Sequence, residues 1–165
     1  MTAPAVTSIL DLMAARLVLI TTTNEYNYTI LSTSIKRAKL TSWKSEDLPA
    51  INYWSTGLES IRNNYEDDER SIPLYIEAHT KTHDENFLDV ASKLAADIVT
   101  AINRKSTAPK VSDAINTDLD GKVSDIIFNG YDHEIGSGQK PWCGVLVNFT
   151  IKYNTTIFNM TSYNV

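Results

Sequence analysis

Between residues 145 and 153 the chain alternates without a break. Val145, Val147, Phe149, Ile151 and Tyr153 are separated by Leu146, Asn148, Thr150 and Lys152. Successive side chains of a strand point to opposite faces, so this pattern predicts a strand with one buried face. A one-residue slip would turn the whole apolar set outward, which ties the register to the core. A second alternation places Ile72, Leu74, Ile76 and Ala78 against Pro73, Tyr75, Glu77 and His79. One apolar and one mixed face imply a sheet covered on one side only. Pro73 lacks a ladder donor, which suggests an edge position or the beginning of the strand.

Two stretches carry helical spacing instead. Val6, Ile9, Leu10, Met13, Leu17 and Ile20 recur every three or four residues, and the poor helix formers of TTTN at 21–24 close that segment. From about 83 to 104, Phe87, Ala91, Leu94, Ile98 and Ile102 form a longer stripe. Thr82 and Glu85 have capping-box spacing, with Arg104 and Lys105 at the far end.

The remaining pieces are shorter. Tyr26 and Tyr28, then residues 30–37, suggest extended chain. Leu48-Pro49 leads into a strand at 50–54, and a charged loop is expected from about 58 to 70. "GKVSDIIF" and "WCGVLVNFTIKY" predict two late strands around a turn-rich "YDHEIGSGQKP". Residues 154–165 are polar with scattered apolar side chains, an extra strand or a tail.

At 165 residues, one domain over 1–165 buries roughly two-thirds of its unfolded surface. Apolar residues make 42% and charged residues 21%, a globular balance. No apolar run is long enough for a membrane span, and no membrane partner is expected. The net charge of −5 argues against general nucleic-acid affinity. Cys143 is the only cysteine, so an intrachain disulfide and a cysteine-based zinc site are excluded. The sequons at Asn27, Asn148, Asn154 and Asn159 carry meaning only in a secreted chain.

Several near-motifs fail on chemistry. Asn116-Thr117-Asp118-Leu119-Asp120-Gly121 opens like a calcium loop, but Ile127 stands where the bidentate carboxylate belongs. An Asp/Gly turn is the better reading. His79 and His83 are four apart, yet one lies in an expected strand and the other at a helix cap. His133-Glu134 sits in an expected loop with no second histidine near it, and Cys143 beside Trp142 reads as a small core hydrophobe. No nucleophile elbow, phosphate loop or dinucleotide fingerprint is present. No catalytic residue, metal or cofactor is expected, and the chain is read as not an enzyme.

Charge is unevenly spread. Lys36, Arg37, Lys39 and Lys44 fall within nine residues that hold no acid, whereas Glu66, Asp67, Asp68 and Glu69 are consecutive. Each run is either a solvated surface or one half of a contact between copies of the chain. Trp43, Trp54 and Trp142 lie near element ends, where they either fill the core or anchor an interface.

The order of these pieces resembles the tail terminator, or tail completion, proteins of long-tailed bacteriophages. The matching segments are the N-terminal helix, "NEYNYTI", "SIKR", "LPAINYW", "SIPLYIEAH", "FLDVASKLAADIVTAI", "DGKVSDIIFNGYD" and "GVLVNFTIKY", within residues 5–153. The resemblance implies an α+β subunit, a mainly antiparallel sheet with an N-terminal helix and a long central helix on one side. It implies a homo-hexameric ring that caps the tail tube, ends tail polymerisation and presents a surface to a head-completion or neck protein. DNA would pass through the ring without sequence-specific binding. The expected location is the head-proximal end of the virion tail, with assembly in the host cytoplasm. Another head–tail connector or neck protein is the alternative. For a ring, the basic run and the acidic run are the natural pair of unlike patches.

Overall fold

A computed structural model describes residues 5–57, 59–62, 67–82, 86–135 and 142–156. Helix α1 (Ala5–Leu17) is the first described element and ends three residues before the expected Ile20. The expected stripe holds, with Ile9, Leu10, Met13, Leu17 and Ile20 buried. Of the expected extended segment at 30–37, only β1 (Ile35–Arg37) is a strand, and a single 3-10 turn precedes it. Pro49 stands immediately before β2 (Ala50–Ser55), where its missing N–H costs no ladder bond.

The expected charged loop at 58–70 is corrected. Residues 59–62 are β3 (Glu59–Arg62), and β4 (Asp67–Lys81) already begins at Asp67. Backbone pairing thus continues through the acidic run, with Asp68 opposite Arg62 and Glu69 opposite Ile61. Glu69 also gains an unlike charge from the neighbouring strand, Lys152 of β6 at 3.7 Å, a contact that favours strand here.

Helix α2 (Phe87–Ile102) has Asn86 at its N-cap position without a side-chain cap bond. Glu85 of the capping box expected with Thr82 lies outside the described residues. Its stripe is as expected, with Ala91, Leu94, Ile98 and Ile102 buried. Strand β5 (Asp125–Ile135) runs on through Tyr131–Ile135, which the glycine-rich flank had suggested was turn. A bulge between Phe128 and Gly130 lets the strand absorb one extra residue and continue. Strand β6 (Trp142–Thr156) includes 154–156, settling the first part of the polar end as strand; 157–165 lie outside the described residues.

These strands form one six-stranded sheet in the order β1-β2-β4-β6-β5, with β3 also paired to β4. All ladders are antiparallel except β1–β2. The fold is α+β. Strands β4 and β6 pair along their full length, from Asp67↔Thr156 to Lys81↔Trp142. Pro73 is therefore mid-strand, in a strand that is not an edge of the sheet as a whole. On its other side, the β2 ladder ends at Leu74 and the β3 ladder begins at Ser71. Ile72 and Pro73 fall in that gap, where a missing donor leaves no bond unmade.

The core lies between the helices and one sheet face, where Ile72, Leu74, Ile76, Val145, Val147, Phe149 and Ile151 are at most 1% exposed. Burying each such side chain is worth roughly 1.5–3 kcal/mol. Both strictly alternating patterns thus end on the helix-covered face.

Candidate functional site

The ten charged and tryptophan residues singled out from the sequence are dispersed by the fold. Lys36 and Arg37 are exposed on β1, an edge strand. Arg37 reaches Asp11 of α1 at 3.6 Å. Lys39 turns inward instead. Its ammonium donates to the carbonyls of Thr41 (2.6 Å) and Ser42 (3.1 Å) and to the Thr41 hydroxyl. It also stands 4.8 Å from the centre of the Trp43 ring, a cation–π contact that braces the loop.

The acidic run lies elsewhere on the sheet. Lys36 is opposite Asn52, and Asn52 is opposite Glu77, eight positions along β4 from Glu69. At the rise of a strand that separation is roughly 25 Å. Within one copy the two runs are therefore apart. Glu69 pairs with Lys152 across β4–β6 at 3.7 Å. Asp67 and Asp68 lie at the start of β4, and Glu66 lies outside the described residues.

Trp54 stacks on Tyr75 at 5.8 Å. They are paired across β2–β4 on the face that carries no helix. Trp43 is buried. It joins Trp142, Lys39, Asn52, Glu77 and His79 in lining a cleft of about 330 Å³. Asn52 builds this cleft: its side-chain oxygen accepts from the Lys39 N–H at 2.8 Å, and its amide donates to the Lys39 carbonyl at 3.3 Å. The same amide donates to Glu77 at 3.3 Å, and Glu77 meets His79 at 2.7 Å. Asn52 thus holds residues 39–43 over the sheet.

Three of the sequence-selected residues, Lys39, Trp43 and Trp142, converge here. Asn52 and Glu77 were not selected, because their positions in an alternating strand resemble ordinary outward-facing polar residues. His79 lies in its strand as expected; His83, Asp84 and Glu85 are outside the described residues. His133 is in β5 rather than a loop, 3.3 Å from Ser92 of α2. Cys143 is buried near the start of β6, and burial pushes its thiol up from the ordinary value.

The near-calcium loop has its oxygens engaged by protein donors. The Asn116 side-chain oxygen accepts from Arg16 at 2.6 Å and from the Asp120 N–H at 3.1 Å. Asp118 accepts from the Asn116 amide at 2.6 Å and the Gly121 N–H at 3.0 Å. These bonds hold the Asp118 carboxyl below its ordinary range, the Gly121 N–H most of all. Leu119, Asp120 and Gly121 have positive φ, which the tight turn demands.

Fold and site together define an α+β fold with one helix-covered sheet face, a second face bearing stacked aromatics and a cleft, and two chemically unlike edges. No protein-family model and no curated protein matches the chain.

Proposed function

We propose that the chain is a structural subunit of a bacteriophage tail, a terminator that assembles as a six-membered ring on the tail tube. In that role it ends tube polymerisation and offers the head or neck its attachment surface. The observation that carries this reading is the order of elements: α1, a Leu-Pro-led strand, the long β4, α2, then β5 and β6. They surround a sheet covered on one face, the arrangement the family resemblance implies. A ring also needs unlike patches on opposite sides of each subunit. The two sheet edges differ in charge and length, which suits that requirement. Deleting the protein should give over-long or uncapped tubes beside filled, tailless capsids in electron micrographs. Tails of normal length that still join heads would overturn the terminator reading; normal tails with leaking heads would favour a neck protein.

The cleft favours a second reading, a small ligand-binding module, since concave sites lined by aromatics and a few polar groups commonly hold ligands. Against it, Asn52, Glu77 and His79 are already engaged within the chain. Titrating metabolite mixtures while following tryptophan emission tests it, because Trp43 and Trp142 line the cleft. Saturable quenching abolished by Glu77→Ala would favour the ligand module over the ring.

A further inference from the structure

Among the described residues, strand β5 is one edge of the sheet and pairs only with β6. It spans 11 residues, far longer than the three of β1 at the other end of the strand order. An unpaired edge presents free N–H and C=O groups, and proteins usually protect it with charged side chains (lysine above all), proline, a bulge or brevity. The β5 sequence, DIIFNGYDHEI, has neither lysine nor proline. Its bulge divides it into 125–128 and 130–135, each long enough to take a partner strand.

This edge is also apolar on both faces. Ile127 lies opposite Thr150 on the face without helices and is 36% exposed. Phe128 and Tyr131 lie opposite Phe149 and Val147 on the helix side, yet are 42% and 39% exposed. Leu88, one turn before Ser92 on α2, is 50% exposed near the same rim, since Ser92 reaches His133. Among the described residues this is the densest group of large exposed apolar side chains. Exposed Asp132 stands beside it without a basic residue opposite, whereas Asp125 faces Lys152 of β6.

The opposite edge is complementary. Strand β1 carries Lys36 and Arg37, both exposed, and is flanked by Leu31 (64% exposed) and Leu40 (98% exposed). Apolar surface on both edges supplies burial, while opposite charge orients the encounter. We infer that the β5 edge docks onto the β1 edge of a second copy of this chain, head to tail. Contact between two different patches is heterologous and closes into a ring when the rotation allows. This rests on the ring reading and replaces the acidic run at 66–69 with β5 as the partner of the basic stretch.

The test follows assembly of the full chain by sedimentation equilibrium, with circular dichroism as the check on folding. Asp132→Lys and Lys36→Glu should each raise the concentration for half-assembly about tenfold, a change of about 1.4 kcal/mol. The double variant should recover most of that loss, and Tyr131→Lys should weaken assembly without unfolding the monomer. Backbone amides at 125–135 should exchange hydrogen more slowly in the assembly than in the monomer. Rings that form normally with Asp132→Lys and Tyr131→Lys, and show no added protection in β5, overturn this inference and leave the ring reading standing. Wild-type protein that never assembles overturns both.

Discussion

The Arg16 guanidinium donates to the Asn116 side-chain oxygen across 2.6 Å, joining α1 to a loop one hundred residues later. Arg16 is 2% exposed. It also donates to the carbonyl of Ile102, at the end of α2, and to that of Asn116 at 3.3 Å. Asp120 stands 3.4 Å away and supplies the nearest negative charge. The negative end of α2 and the turn oxygens together compensate a charge that burial would otherwise penalise. One side chain thus fastens both helices and the turn before β5.

Asn116→Ala removes one side-chain acceptor of that charge and leaves the guanidinium buried. The expected loss is about 1.5–3 kcal/mol, the range for hydrogen bonds to charged groups. Urea unfolding checks it. Wild-type stability in the variant would show that water or Asp120 replaces the amide fully.

Asp97 on α2 fastens another segment. Its carboxylate accepts from the Asn27 N–H at 3.1 Å, the Asn27 amide at 2.7 Å and the Tyr28 N–H at 2.9 Å. Burial nevertheless pushes its pKa above the ordinary 3.8, outweighing those bonds. The native state therefore binds the proton more tightly than the unfolded chain. Its contribution is greatest below the unfolded value and is lost as pH rises through the folded value. Asp118 has the opposite sign: its contribution is present above the ordinary value and is lost as pH falls through the lowered one. Compared with Asp97→Asn, the wild type should lose relative stability as pH rises from 3 to 7. Compared with Asp118→Asn, it should gain. Urea midpoints across that range decide both, and equal slopes would contradict the two environments.

Tyr26 donates its hydroxyl to the Pro109 carbonyl at 2.9 Å. Burial pushes its pKa up to about 12. Stability from this group is present below the unfolded value near 10 and declines as pH rises through the folded one. Tyr26→Phe should cost about 1 kcal/mol at neutral pH. It should also remove one phenol ionising near 12 from the ultraviolet titration. A phenol lost near 10 instead would place Tyr26 in water.

The sheet and both helices were legible because their apolar periodicity is long and regular. Val145 to Tyr153 and Leu94 to Ile102 leave little freedom about which face is buried. The pairing of β3 with β4 was not legible, since the acidic run resembles a solvated loop until Lys152 is found beside Glu69. The late half of β5 was hidden by Gly130 and the glycines that follow, which signal turns locally although a bulge carries the strand through. Arg16 and Asp97 sit within amphipathic helices, where the apolar pattern around them dominates. Their signal was available: Arg16 is three residues from Met13 and four from Ile20, and Asp97 is three from Leu94 and four from Ala101. A charged residue in the centre of an apolar stripe asks for a buried partner. The cleft left no such signal, because its members come from the 39–43 loop, β2, β4 and β6. The sequence could nominate Lys36, Arg37 and the tryptophans as interface residues but could not separate those on an edge from those turned inward.

The central claim, a chain that assembles as a six-membered ring, is tested most directly by light scattering on the purified protein across concentration. The mass should be that of an 18.4 kDa monomer at low concentration and should rise toward six copies, about 110 kDa, at high concentration. A stable dimer that persists at every concentration and in high salt would contradict it.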